Sequence, residues 1–149
     1  MRIVLVSDHA GVEAKAALVA HLRGKGHEVL DLGTDSGASV DYPDFAEKGG
    51  RAVASGTAER GVFMCGTGIG ICIAANKVRG VRAALVYDEN TAQMSRRHND
   101  ANVICLGGRI LAPDRMATLV DLWLATPFEG GRHANRVSKI TRIEDAEGR

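Results

Sequence analysis

Short apolar runs rich in branched residues recur along this chain, and a helical pattern follows each of them. Ile3-Val4-Leu5-Val6 is the first. It shows no polar residue to water, as a strand buried on both faces of a parallel sheet requires. Asp8-His9-Ala10-Gly11 breaks the run. Val12, Ala16, Val19 and Leu22 then fall at steps of four, three and three, which predicts one helical stripe, and Gly24 and Gly26 end that helix. The cycle repeats with a strand over 27–32, a polar loop over 33–43 and a helix over 44–55 entered after Pro43. Strands over 61–65, 81–87 and 102–106 follow, with helices to about 76, over 89–97 and over 113–125. Strict alternation predicts an α/β fold, a three-layer α/β/α sandwich with a Rossmann-like five-stranded parallel sheet. A length of 149 residues suits one domain over 1–149. From about 128 the pattern changes. Gly130-Gly131 leads into Arg132, His133, Arg136, Lys139 and Arg142, a basic helical tail with little apolar surface of its own. Such a tail, over 128–149, is expected to dock on a partner subunit.

Charge and composition remove several function classes. Nineteen Lys and Arg against eighteen Asp and Glu leave a net charge of +1, so no global field attracts nucleic acid or an anionic membrane. Aromatics at 4% are too few for base-stacking platforms. No apolar run approaches the ~20 residues of a membrane span, and the N-terminus is too short in apolar residues for a secretory signal. Cys65, Cys72 and Cys105 are an odd number without metal-type spacing, which points to a reduced, cytoplasmic protein. No metal is expected, because neither H-E-x-x-H nor C-x-x-C occurs and carboxylates do not cluster.

In a parallel α/β sheet, ligands bind beyond the carboxyl ends of the strands. The segments there are Asp8-His9, Asp41-Tyr42, Cys65-Gly66-Thr67-Gly68-Ile69-Gly70, Asp88 and Gly107-Gly108-Arg109. The glycine run admits close backbone approach to a ligand. Its spacing is not the G-x-G-x-x-G of dinucleotide sites, since position 71 is Ile, and it follows the third strand rather than the first. An anion cradle fits better. Cys65 at the strand end is then either a thiolate base or nucleophile or a small buried apolar residue; Cys72 and Cys105, within apolar runs, take the latter reading. Asp8-His9 reads equally as an acid/base pair or as a helix cap. His98 and Asn99 lie in a polar run before the fifth strand, which a helix end and turn would explain. Arg132 and Arg136 share one helix face and, with Arg109, could clamp a phosphate; a solvated basic face explains them too.

Taken together, these segments resemble the type B ribose-5-phosphate isomerases, a family that includes allose- and galactose-6-phosphate isomerases. The resemblance is carried by Ser-Asp-His-Ala-Gly (7–11), Asp-Tyr-Pro (41–43), Cys-Gly-Thr-Gly-Ile-Gly (65–70), Ala-Ala-Asn-Lys (74–77) and Arg-Ala-Ala-Leu (82–85). It continues in Ser-Arg-Arg-His-Asn-Asp-Ala-Asn-Val (95–103), Gly-Gly-Arg (107–109) and Glu-Gly-Gly-Arg-His-Ala-Asn-Arg-Val (129–137), in order from residue 2 to about 144. Ser7 departs from relatives that carry a small apolar residue or Cys there.

The resemblance implies a metal-free, cofactor-free aldose–ketose isomerase working through a cis-enediolate. Cys65 would be the base that moves a proton between C1 and C2. One branch of the family uses a Glu a few residues downstream instead, but Ala74-Ala75-Asn76 offers no carboxylate. The amides of Gly66, Gly68 and Gly70, with Thr67, would hold the enediolate oxygen. His98 would assist ring opening, Asn99 and Asp8 would position sugar hydroxyls, and Tyr42 would line the pocket. His9, Arg109, Arg132 and Arg136 would hold the phosphate. The site would be shared between subunits of a homodimer or homotetramer, the His98-Asn99 segment crossing from the partner. Ribose 5-phosphate is the expected substrate, with a hexose 6-phosphate or a tetrose phosphate as the alternative. A non-catalytic phosphosugar- or nucleotide-binding domain is the more remote one.

Overall fold

The five apolar runs become five parallel strands of one sheet, in the order β2-β1-β3-β5-β4. The computed structural model describes residues 1–148. Its central strands are β1 (Arg2–Ser7), β3 (Arg60–Cys65) and β5 (Val103–Gly107). Every residue of β5 is buried, and every residue of β1 and β3 but the first, which is why these runs are apolar without alternation. β2 (Glu28–Asp31) and β4 (Ala83–Leu85) are the edges, and both are shorter than the 27–32 and 81–87 expected. An edge strand pairs on one side only, so the outer residues of those runs lack a second neighbour to extend the ladder.

The helices are α1 (Val12–Gly24), α2 (Tyr42–Ala54), α3 (Ile69–Ala75), α4 (Glu89–Arg97), α5 (Pro113–Ala125) and α6 (Arg132–Ala146). Successive strand residues point to opposite faces and build two cores. Ile3, Leu5, Val62, Met64, Ile104 and Leu106 pack with Leu18, Leu22, Leu119 and Trp123 from α1 and α5. Val4, Val6, Phe63, Cys65, Val103 and Cys105 pack with Ala46, Val53, Ile71 and Ala75 from α2 and α3. These are the three expected layers.

Two local expectations are corrected. α1 turns Ala14, Lys15, Leu18 and Leu22 inward, while Ala16 is exposed and Val12 and Val19 are half-buried. The residue that sequence reading passes over is Lys15. Its ammonium enters the interior because Asp31 and Asp35 meet it at 2.7 Å each. α2 begins at Tyr42, not 44, with Pro43 in its first turn, where a missing N–H costs nothing. The tail is helical as expected: in α6 only His133 is buried, and Ile140 and Ile143 face solvent.

The packing of α2 on the sheet depends on Gly49, where a Cβ would lie 2.6 Å from Phe63 Cζ and 2.9 Å from Val6 Cγ1. Gly49→Val is expected to lower the unfolding free energy by about 2 kcal/mol or more. Gly24→Ala, with no atom within 4 Å of the new Cβ, raises it by about 0.5 kcal/mol. Urea denaturation of both variants measures the difference.

Candidate active site

All strands run the same way, so the segments that leave them gather at one edge of the sheet. Asp8 follows β1, and its amide donates to the Met64 carbonyl at 3.2 Å. Its carboxylate caps the short turn His9–Gly11 by accepting from the Ala10 amide at 2.9 Å, so the capping reading holds. The loop after β5 returns across the loop after β3: the Gly108 amide donates to the Cys65 carbonyl at 2.7 Å and Arg109 to Gly66 at 2.9 Å. Arg109 thereby lies over the glycine run; a Cβ on Gly66 would be 3.0 Å from its Nη1.

Cys65 is buried at the head of that run, and the Gly68 amide donates to its Sγ at 3.2 Å. The backbone can turn back on the sulfur because Gly68 has φ +80°, a conformation that favours glycine. Thr67 Oγ1 accepts from the Ile69 amide at 3.3 Å. Gly70 lies under the Tyr42 ring, where a Cβ would be 2.6 Å from Cζ. Val40, just before α2, donates its amide to His9 Nδ1 at 3.2 Å. One edge therefore collects Asp8, His9, Tyr42, Cys65, Gly66, Thr67, Gly68, Gly70 and Arg109. It presents a thiol, a carboxylate, an imidazole, a phenol, backbone amides and a guanidinium.

The other expected residues are elsewhere. α4 runs back across the sheet, so His98 and Asn99 emerge where β5 begins. The Asn102 carbonyl accepts from Gly61 at the amino end of β3, and the Arg97 carbonyl accepts from Glu129 at 3.1 Å. Register pairs Gly61 with Val103 and Cys65 with Gly107. Four strand steps of about 3.3 Å put roughly 13 Å between the two ends. The His98 turn is rigidly held. Buried Arg96 donates to Asp100 Oδ1 at 2.8 Å and to the Ala101 carbonyl at 2.6 Å, and Arg82 donates to the Asn99 and Asp100 carbonyls at 3.2 and 3.1 Å. Asp100 takes φ +46° to close this turn.

His98 stacks on His133, ring centres 4.1 Å apart and planes 12° apart. Sequence reading assigned His133 no role; its position between Arg132 and Arg136 on the same helix was the available signal. His133 is buried, and desolvation, with the charges of His98, Arg132 and Arg136, holds its imidazole below the ordinary value against the opposing pull of Glu129. His98, Glu129 and His133 offer ligand atoms within 4.8 Å of one another. His133 Nε2 faces the Glu129 carboxylate at 3.6 Å, and the surrounding Arg132 and Arg136, with Arg97 at 3.9 Å from Glu129, weigh against a cation there. Cys105 is fully buried, with its thiol pushed well above the ordinary value by desolvation. Cys72 is only half-buried, and its hydrogen bond with Cys105 lowers its thiol pKa. Among the described residues no helix is long and apolar enough to cross a membrane.

The sequence model of the Ribose/Galactose Isomerase family matches residues 3–140. Ribose-5-phosphate isomerase B of Escherichia coli is 46% identical over 143 residues, covering 96% of each chain. The solved ribose-5-phosphate isomerase B of Clostridium thermocellum superposes with a TM-score of 0.97 at 50% identity, covering 99% of each chain. That of Mycoplasma genitalium, solved with bound ribulose-5-phosphate, gives 0.93 at 44% identity, covering 97% of this chain and 96% of the other. The chain belongs to the ribose/galactose isomerase family and is an aldose–ketose isomerase.

The His98–His133 stack makes a pH prediction. The folded chain resists protonating His133 more than the unfolded chain does, so between its folded pKa and about 6.5 the unfolded state binds more protons. Stability from this residue is complete above that window and declines as pH falls through it. Histidine NMR should place the His133 midpoint below the ordinary imidazole value, and His98→Ala should move it upward.

Proposed function

We propose that this chain interconverts ribose 5-phosphate and ribulose 5-phosphate through a cis-enediolate, with Cys65 as the base. The observation that carries the reading is the buried Cys65 thiol at the head of the glycine run, beside Asp8, Tyr42, Thr67 and Arg109. Starting from the aldose, the Cys65 thiolate takes the proton from C2 and becomes a thiol; the C2–H electron pair forms the C1–C2 double bond and the C1 carbonyl pair moves onto O1, giving the enediolate. The O2 hydroxyl proton passes to O1, the C1–C2 double-bond pair then takes the proton back from the Cys65 thiol at C1, and an O2 electron pair forms the carbonyl at C2, which regenerates the thiolate. Negative charge on the enediolate oxygen grows only as the proton leaves, so amides of Gly66 and Gly70 and the Thr67 hydroxyl stabilise the transition state more than the substrate. The Gly68 amide belongs to this task indirectly, because it is spent on the Cys65 sulfur.

A second copy of the chain supplies the rest. His98, Asn99, Arg132 and Arg136 stand a strand length from Cys65 of their own chain, which supports a homo-oligomer in which each Cys65 edge faces another copy's His98 turn. His98 then passes the hydroxyl proton during ring opening, Asn99 and Asp8 orient the hydroxyls, and Arg132, Arg136, Arg109 and His9 bind the phosphate. Exposed Ile69, Ile73, Tyr87, Ile110, Ile140 and Ile143 provide apolar surface for that contact. Three free thiols fit a reducing cytoplasm.

Proton NMR in D2O, with chelator present, tests the chemistry. Ribose 5-phosphate should acquire deuterium at C2 and yield ribulose 5-phosphate faster than allose 6-phosphate, galactose 6-phosphate or a tetrulose phosphate reacts. No exchange with any sugar contradicts the reading, and a faster hexose or tetrose phosphate replaces the substrate. Cys65→Ala should lower kcat about 100- to 10,000-fold. Arg136→Ala should act mainly on KM, raising it roughly tenfold or more.

A further inference from the structure

Among the buried charged groups that the mechanism does not use, Lys15 is the most deeply buried, and it is tied to a loop that reaches the site. Lys15 is 1% exposed, and its ammonium meets both oxygens of Asp31 and Oδ1 of Asp35 at 2.7 Å each. Its three N–H donors are thus matched by three carboxylate oxygens. Asp31 ends β2. Asp35 lies on the loop beyond it, with its side chain 90% exposed. The lysine is therefore a buried post to which a surface loop is tied.

The tie fixes the start of the segment over 32–41. Leu32 and Thr34 donate to the Leu5 and Ser7 carbonyls at 2.9 and 3.2 Å, extending the contact with β1. Gly33 fits so closely that a Cβ would be 2.6 Å from the Ser7 nitrogen and 2.7 Å from Lys15 Cδ. Side-chain turns continue the path, Thr34 Oγ1 accepting from Ser36 and Ser36 Oγ from Ala38. The segment ends at Val40, whose amide donates to His9 Nδ1 at 3.2 Å. An N–H aimed at Nδ1 requires that nitrogen to be unprotonated. The proton of the neutral ring then sits on Nε2, where it is free to be donated outward.

We propose that Lys15 and Asp35 act as a positioning strap: by tying down the loop over 33–40 they hold the Val40 amide on His9 and fix His9 as the Nε2–H donor for the substrate phosphate. This rests on the isomerase reading and adds to it the residues that set the state of one phosphate ligand. Neither Lys15 nor Asp35 touches substrate. The strap needs both ends, because Asp31 holds only the end of β2 and the Gly33 amide, and beyond Thr34 the tie to the interior is Asp35.

Asp35→Ala, which removes the acceptor oxygen, tests the strap with little risk to the fold, since the side chain is exposed and Lys15 keeps Asp31. Nitrogen-15 NMR of the histidine rings, above the pH at which they protonate, should show His9 as the Nε2–H tautomer in the wild type and a mixture in the variant. KM for ribose 5-phosphate should rise about three- to tenfold in the variant with kcat within about twofold. Unchanged tautomer populations overturn the strap, and so does a fall in kcat at constant KM. The tautomer measurement needs no turnover. A wild-type protein that fails to isomerise any phosphosugar therefore removes the isomerase reading, while the strap is still decided by the NMR.

Discussion

Strand polarity governs the rest of this structure. Because β1 to β5 are all parallel, whatever follows a strand lies at one edge and whatever precedes a strand lies at the other. The hydrogen-bond register between β3 and β5 makes that separation a fixed length, with Gly61 and Val103 at one end and Cys65 and Gly107 at the other. The Cys65 thiol and the His98 imidazole, placed on the two ends of such a sheet, cannot meet in one chain. Flexing does not remedy this, since the intervening Val62, Phe63, Met64, Ile104, Cys105 and Leu106 are fully buried.

The two ends are built by different physics. At the Cys65 end, close approach dominates: glycines at 66, 68 and 70 let Arg109, the sulfur and the Tyr42 ring come within contact of the backbone. Any side chain there would displace the groups that make the site. At the His98 end, charge dominates. Arg96 is buried, sits 5.9 Å from the centre of the Trp123 ring and satisfies Asp100 and Ala101, so the turn carrying His98 is braced from below. Deleting Arg96 would strip Asp100 Oδ1 and the Ala101 carbonyl of their guanidinium donor.

Much of this was legible in the residues, and the failures have causes. The central strands declared themselves because burial on both faces demands unbroken apolar runs. The edge strands were overextended because composition alone does not reveal the lack of a second neighbour. The stripe of α1 was misread because Lys15 counts as polar in sequence, while in the fold two carboxylates from distant positions make it an interior residue. The gathering of Cys65, Thr67 and Arg109 at one edge of the sheet was legible from their place after strands. His133 was not, because its significance lies in a ring contact with His98 across 35 positions of sequence, and spacing carries no trace of it.

The central claim is that each working site takes Cys65 from one copy and His98 from another. Mixing Cys65→Ala and His98→Ala subunits, by co-expression or by joint refolding, tests it directly. Each variant alone should be nearly inactive. Random reassortment makes half the dimers mixed, each with one intact site of two, so the mixture should recover about a quarter of wild-type activity. A mixture as inactive as its parents would contradict the account.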